Sequence, residues 1–244
     1  MDAPLLADQL WAQLGDFAEP SRAQAEQQYL KSALEHLGVS VPAVRRLVRG
    51  LVDRHPVLTS DDVFALADEL WRRPVHEMRL AAIELLVAVP GAVDAGRLPW
   101  LEQHLRECRT WALLDTLAGT VVADLAVRDR RGTLPVMDRW VLDPDMWMRR
   151  SAVLGMRSLL RRDRELERFF HYAALLLPET EFFVRKALGW VLREVAQRHP
   201  REVSAWLREH MGQMNLVTLR EPLRKLPDAV ELRDLYDTRR NVSG

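Results

Sequence analysis

Three twelve-residue stretches of this chain align with one another without a gap: VHEMRLAAIELL (75–86), DMWMRRSAVLGM (145–156) and EFFVRKALGWVL (181–192). Each places an apolar Met or Val directly before an arginine, namely Arg79, Arg149 or Arg185. Two of them open on an acid, Asp145 or Glu181, four residues before that arginine. The last two copies begin 36 residues apart and the first two 70, about twice that, so the stretch Thr110–Asp115 falls where a missing copy belongs. A helical unit that recurs in this way cannot bury its apolar face alone and must stack on its neighbours. The repeat therefore restricts the chain to a stack of helices.

The rest of the sequence agrees. Helical spacing of apolar residues predicts helices near 3–17, 21–37, 41–54, 61–72, 75–88, 97–107, 109–127, 133–142, 145–162, 163–176, 180–198, 201–210, 217–226 and 229–237. Ser60 and Asp61 stand where N-caps belong, and Gly38 stands where a left-handed residue closing the Tyr29–Leu37 segment is wanted. Pro42 falls in a first helical turn, and Pro56, Pro74, Pro90, Pro144, Pro178 and Pro200 fall at junctions. No stretch alternates in the manner of a strand. The repeat resembles the Asp…Val-Arg signature of HEAT repeats, with a period shorter than their usual ~40–47 residues. The expected fold is all-α, a curved α-solenoid of HEAT-like helix pairs with one helix of each pair lining a concave face. It is expected to form one domain over 1–244, with residues 1–20 as a capping helix and 239–244 as a flexible tail.

Composition serves here to exclude. Hydrophobic residues at 48% and a mean hydropathy of −0.19 describe a soluble folded chain rather than a disordered one. No apolar run approaches the ~20 residues of a membrane span, and the N-terminal stretch lacks the basic start of a secretory signal. Cys108 is the single cysteine, so no internal disulfide forms and a reducing, cytoplasmic setting is expected. The seven histidines show no metal-binding spacing, so neither metal nor cofactor is expected. There is no Gly-rich phosphate loop and no Gly-x-Ser-x-Gly elbow. The formal net charge is +0, so a nucleic-acid partner has to be argued from distribution. Residues 1–28 are acidic, whereas 145–168 and 185–201 are rich in arginine.

The candidate helix over 179–197 carries more than a core helix needs. Phe183, Ala187, Val191 and Val195 make the apolar stripe, and Gly189 marks a close backbone approach beside Trp190. Arg185, Lys186 and Arg193 are left over. Trp111 and Asp115 lie at i and i+4, on one helix face. Taken singly, Asp115 reads more readily as an inter-repeat salt bridge, and Trp190 as core packing. Arg149 and Arg185 read as repeat-ladder residues. Arg150 and Lys186, one step further round, are the candidates for pointing outward. Equivalent repeat positions share one surface, so Trp111, Asp115, Arg150 and Trp190 are expected to converge.

At these residues the chain resembles the AlkD-like family of DNA alkylation-repair glycosylases, which are HEAT-like solenoids. The likeness runs from about Tyr29 to Arg224. It includes Gly38-x-x-x-Pro42-x-x-Arg45, ELWRRPVHEMRLAAIELL (69–86), Trp111-x-x-x-Asp115, Met146–Arg150 and above all FFVRKALGWVLRE (182–194). The resemblance implies that Asp115 is the catalytic carboxylate, Trp111 and Trp190 its aromatic partners, and Arg150 a phosphate ligand. Lys186 is a second phosphate-binding candidate, with no Schiff-base role implied. One departure is Thr110, where the family often has an aromatic residue. The expected activity is hydrolysis of the N-glycosidic bond of cationic N3- and N7-alkylpurines, such as 3-methyladenine and 7-methylguanine. No lyase step and no base flipping are expected. The partner would be double-stranded DNA and the protein a nucleoid-associated monomer. The alternatives are a catalytically silent DNA-binding relative and a HEAT-type protein scaffold.

Overall fold

Apolar residues spaced three and four apart produce sixteen α-helices among the described residues, and the only bridge between extended segments is an isolated pair, Glu35 and Val75. The structure is a computed structural model that describes residues 1–242. The chain clusters into two compact units, Met1–Leu125 and Ala126–Gly244.

The first unit holds α1 (Ala3–Gly15), α2 (Pro20–Leu30), α3 (Val41–Arg54), α4 (Ser60–Arg72), α5 (His76–Ala88), α6 (Leu98–Glu107) and α7 (Trp111–Thr116). A π-helical segment, Leu117–Val122, then leads into α8 (Ala123–Arg128), inside which the boundary between the units falls. The helix α5 is the centre of this unit and packs against α3, α4, α7 and the π-helical segment. Ten of its thirteen residues are buried, from His76 to Leu86, so its sequence reads as apolar nearly all round.

Two of those buried residues are carboxylates, and both tie α5 to the chain around α3. Glu84 is bound in a two-pronged pair by Arg45, with Nε–Oε2 at 2.9 Å and Nη2–Oε1 at 2.8 Å. Glu77 is fully buried and accepts three backbone N–H groups, from Leu37 (3.0 Å), Gly38 (2.7 Å) and Val39 (3.1 Å). A buried carboxylate without such donors would carry a heavy desolvation cost.

This arrangement changes the expectation for 21–37. The helix stops at Leu30, capped by Lys31 in the left-handed region, and residues 32–39 run as a strap across the start of α5. There Glu35 exchanges backbone bonds with Pro74 and His76. Gly38 is left-handed as expected, at φ +77, but it does not close that helix. Its task is to turn the strap's N–H groups onto Glu77. The N-cap of α4 likewise shifts by one residue. Thr59 takes that place in a reciprocal capping box with Asp62, and Ser60 is already helical.

The second unit holds α9 (Arg130–Trp140), α10 (Met146–Gly155), α11 (Arg157–Leu160), α12 (Leu166–Leu175), α13 (Phe182–Ala196), α14 (Pro200–His210), α15 (Leu216–Leu223) and α16 (Ala229–Val242). The last helix continues to Val242, into the segment expected to be a flexible tail; Ser243 and Gly244 lie outside the described residues. Here α13 is central, packed between α10 and α15 with α14 alongside. Gly189 is the contact point. A Cβ there would stand 2.8 Å from the Thr218 carbonyl oxygen, so α13 and α15 touch backbone to backbone. The ladder arginines also meet in this unit. Arg149 Nε pairs with Glu179 at 2.6 Å, and Arg185 Nε donates to the Glu179 carbonyl at 2.5 Å. Burial alone would raise the Glu179 carboxyl, but the bonds from Arg149 and the Glu181 and Thr180 backbones hold it below the usual carboxylate range.

Candidate functional site

Among the residues singled out by sequence, Trp111 and Asp115 belong to the first unit, and Arg150, Lys186 and Trp190 to the second.

Arg109 takes a left-handed backbone, φ 50, and turns the chain sharply into α7. Thr110 follows as an extended N-cap whose buried hydroxyl finds no partner among the described residues. Trp111 then opens the helix, and Asp115 follows one turn later; both are half-buried. Leu113 and Leu114 point the other way, into the core. The aromatic residue missing at position 110 has a spatial substitute. Tyr29 of α2 stands edge-on to Trp111, with ring centroids 6.2 Å apart at 87°. Tyr29 is 75% exposed, so the Trp111–Asp115 face is bordered by an accessible phenol. No spacing in the sequence could have found it, because α2 and α7 are 80 residues apart in the chain.

Directly behind Asp115 the helix widens into the π turn Leu117–Val122. The sequence predicts one regular helix over 109–127, since one extra residue per turn leaves the apolar pattern nearly intact. Segments of this kind recur at functional sites because they re-aim the side chains beside them. Cys108, two residues before Thr110, is fully buried, and burial pushes its thiol up, which leaves it unreactive at neutral pH.

In the second unit Asp145 caps α10, accepting the Trp147 N–H at 2.9 Å, and Trp147 stacks on Phe183 of α13 at 5.4 Å. Arg150 departs from expectation. It does not point outward but is 5% exposed, and its Nη1 donates to the Phe183 carbonyl. The reason is its place on α10, whose face toward α13 includes position 150. Lys186 is exposed but engaged, its Nζ 3.2 Å from Glu221 Oε1; Arg193 binds the other oxygen of that carboxylate at 2.7 Å. Glu221 thus binds two of the cations that the apolar stripe of α13 left unexplained.

Trp190 is half-buried, and the Arg157 guanidinium lies 4.2 Å from its ring centroid. Arg157 is held in turn by both oxygens of Glu194, at 3.1 and 2.8 Å. Burial would raise the Glu194 carboxyl; the Arg157 bonds and charge, joined by Arg161, reverse this and hold it low. Nothing in the sequence marked Arg157, which comes from a different helix. Arg157→Met is expected to leave Glu194 partly buried without its main cation and to lower stability by roughly 2 kcal/mol. Urea unfolding followed by tryptophan fluorescence would measure this, and a loss below about 0.5 kcal/mol would contradict it.

Stacked helices with ladder arginines define an all-α helical-repeat protein. Comparison with known proteins then identifies which kind. The chain belongs to the DNA alkylation repair enzyme family, whose model matches residues 10–226. Among solved structures it is similar to a protein described as a predicted DNA alkylation repair enzyme from Enterococcus faecalis, with a TM-score of 0.74 and 17% identity over 86% of this chain and 97% of that one. It is also similar to AlkD2 from Streptococcus mutans, with a TM-score of 0.57 and 19% identity over 87% of this chain and 94% of that one. A search of curated proteins finds no match. Among the described residues no helix is long and apolar enough to cross a membrane.

Proposed function

We propose that this protein is a monofunctional DNA glycosylase, acting as a monomer on duplex DNA and hydrolysing the N-glycosidic bond of cationic N3- and N7-alkylpurines. The observation that carries the proposal is the α7 face, where an indole and a carboxylate stand one turn apart, bordered by Tyr29 and followed by a π turn.

The chemistry suits those groups. An alkylated purine already carries positive charge, so it departs as a neutral base when the C1′–N bond breaks and the bonding pair moves to the ring. No general acid is needed, and no histidine has to be found for that task. Positive charge develops on the deoxyribose, as in glycoside cleavage. Asp115 opposes that charge and orients the water whose oxygen bonds to C1′; the water's proton passes to the carboxylate or to solvent. Trp111 and Trp190 add cation–π attraction, worth ~0.5–2 kcal/mol each. Arg157 occupies one face of Trp190, so that role falls to the other face. The stretches Trp111–Asp115, Trp147–Arg150 and Arg185–Trp190 carry no Asn, Gln, Ser or His to read a base edge. This supports selection by the adduct's charge, with the base left stacked.

The test is incubation with methylated duplex DNA and chromatography of the free bases. Release of 3-methyladenine and 7-methylguanine is expected, with uracil and hypoxanthine left in place. Efficient excision of either neutral base would contradict the charge-based reading.

Arg150 and Lys186 are assigned to the phosphates flanking the lesion. Arg150 is buried and donates to the Phe183 carbonyl, so it would have to give up part of its present bonding to reach a phosphate, as Lys186 would exchange Glu221 for one. Arg150→Ala is expected to reduce the slope of log Kd against log salt by about one and to cost ~1 kcal/mol of stability through the orphaned carbonyl. An unchanged slope would return Arg150 to a purely structural role.

A further inference from the structure

The strap over α5 holds a second cluster of polar groups that the reaction above does not use. His36 is 8% exposed, yet neither ring nitrogen has a hydrogen-bond partner among the described residues. A neutral imidazole has one N–H and one lone pair to satisfy, so burying both nitrogens unpaired costs free energy that a native core rarely spends. The His36 ring stacks on His76 at 4.4 Å and 11°, which fixes its plane. Two carboxylates face it: Glu77 from the start of α5 and Glu26 from α2. One donor atom from each of Glu26, His36 and Glu77 lies within 4.8 Å of the others.

We propose that Glu26, His36 and Glu77 form a binding site for one divalent transition-metal cation. Metal–ligand bonds of about 2.0–2.2 Å set ligand atoms up to ~4 Å apart, so a small rotation of the half-buried Glu26 closes the set. The carboxylates have capacity for it. Three backbone N–H groups occupy Glu77, two on Oε1 and one on Oε2, which leaves an open position on Oε2. Glu26 engages Arg22 through Oε1 at 2.7 Å, leaving Oε2. The N–H groups on Glu77 give the fixed outer support that metal carboxylates usually have. One imidazole with two carboxylates suits zinc, iron(II) or manganese better than magnesium, which prefers oxygen and keeps its waters. The ligands come from α2, the strap and α5, at positions 26, 36 and 77, a spacing that matches no sequence signature for metal binding. A bound cation would pin α2, and with it Tyr29, to α5.

The test uses full-length protein stripped with a chelator and titrated with zinc sulfate, with binding read by calorimetry and by the shift in Tm. Wild type is expected to bind one zinc per chain and to gain in Tm, with magnesium at least tenfold weaker. His36→Phe keeps the stacked ring and removes the ligand, and is expected to abolish the tight site. Glu26→Gln is expected to weaken zinc by on the order of tenfold or more. Glu26 is half-buried on a surface helix, so this second variant carries the test even if His36→Phe does not fold. Far-UV circular dichroism serves as the fold control for both variants. No zinc binding by wild type, or equal zinc affinity in wild type and Glu26→Gln, would overturn the proposal.

Discussion

Asp115→Asn is expected to abolish base release while leaving fold and DNA affinity close to wild type. The amide has nearly the size and shape of the carboxylate, so packing on α7 changes little. What disappears is the negative charge facing the oxocarbenium ion, and removing a single preorganised electrostatic group of this kind typically costs ~10²–10³-fold in rate. Single-turnover release of 7-methylguanine from methylated duplex, with a parallel binding titration, separates the two effects. Activity within a few-fold of wild type would remove Asp115 from the reaction. Weakened binding with a proportionate loss of rate would instead make it a positioning residue.

Gly38→Ala is expected to have the largest effect on stability, roughly 3 kcal/mol or more. A left-handed backbone costs a residue with a side chain ~1–2 kcal/mol. The added Cβ would also stand 2.2 Å from the Glu19 carbonyl oxygen and 2.7 Å from the Ala23 nitrogen, both backbone atoms that cannot rotate aside. Relieving such a contact costs a further ~1–3 kcal/mol. The strap would have to lift, and Glu77 would lose bonds that keep its buried charge tolerable. Gly50→Ala is the control. It lies inside α3, where a Cβ meets nothing nearer than the Arg54 side chain at 3.4 Å, so it should gain up to ~1 kcal/mol from helix propensity. Urea denaturation of both variants checks the contrast, and a Gly38→Ala loss below about 1 kcal/mol would contradict the structural account.

These two positions stand for what a resemblance does and does not reveal. The segment Gly38–Arg45 carried part of the family likeness, and its role here is structural: Gly38 cradles Glu77, and Arg45 clasps Glu84. Trp111 and Asp115 carried another part, and there the i, i+4 spacing alone put both on one face. Position 110 looked like a missing aromatic wall until α2 was seen to bring Tyr29 against Trp111. The expectation that Arg150 faces outward failed because helical phase is set by packing against α13, which the repeat alignment does not contain.

By itself the sequence determined the all-helical repeat, most helix limits, the ladder arginines and the pairing of Trp111 with Asp115. Apart from the recurrence of the repeat along the chain, each of these depends on residues within about one or two turns of one another, where the 3.6-residue period and capping chemistry decide the outcome. Only the tertiary structure decided that a helix ends at Leu30 to free a strap, that Arg157 lies on Trp190, that Lys186 is held by Glu221 and that Glu26, His36 and Glu77 meet. Each of those joins side chains from different elements. Their meeting is set by how buried charge is satisfied across packed helices, and no local period records it.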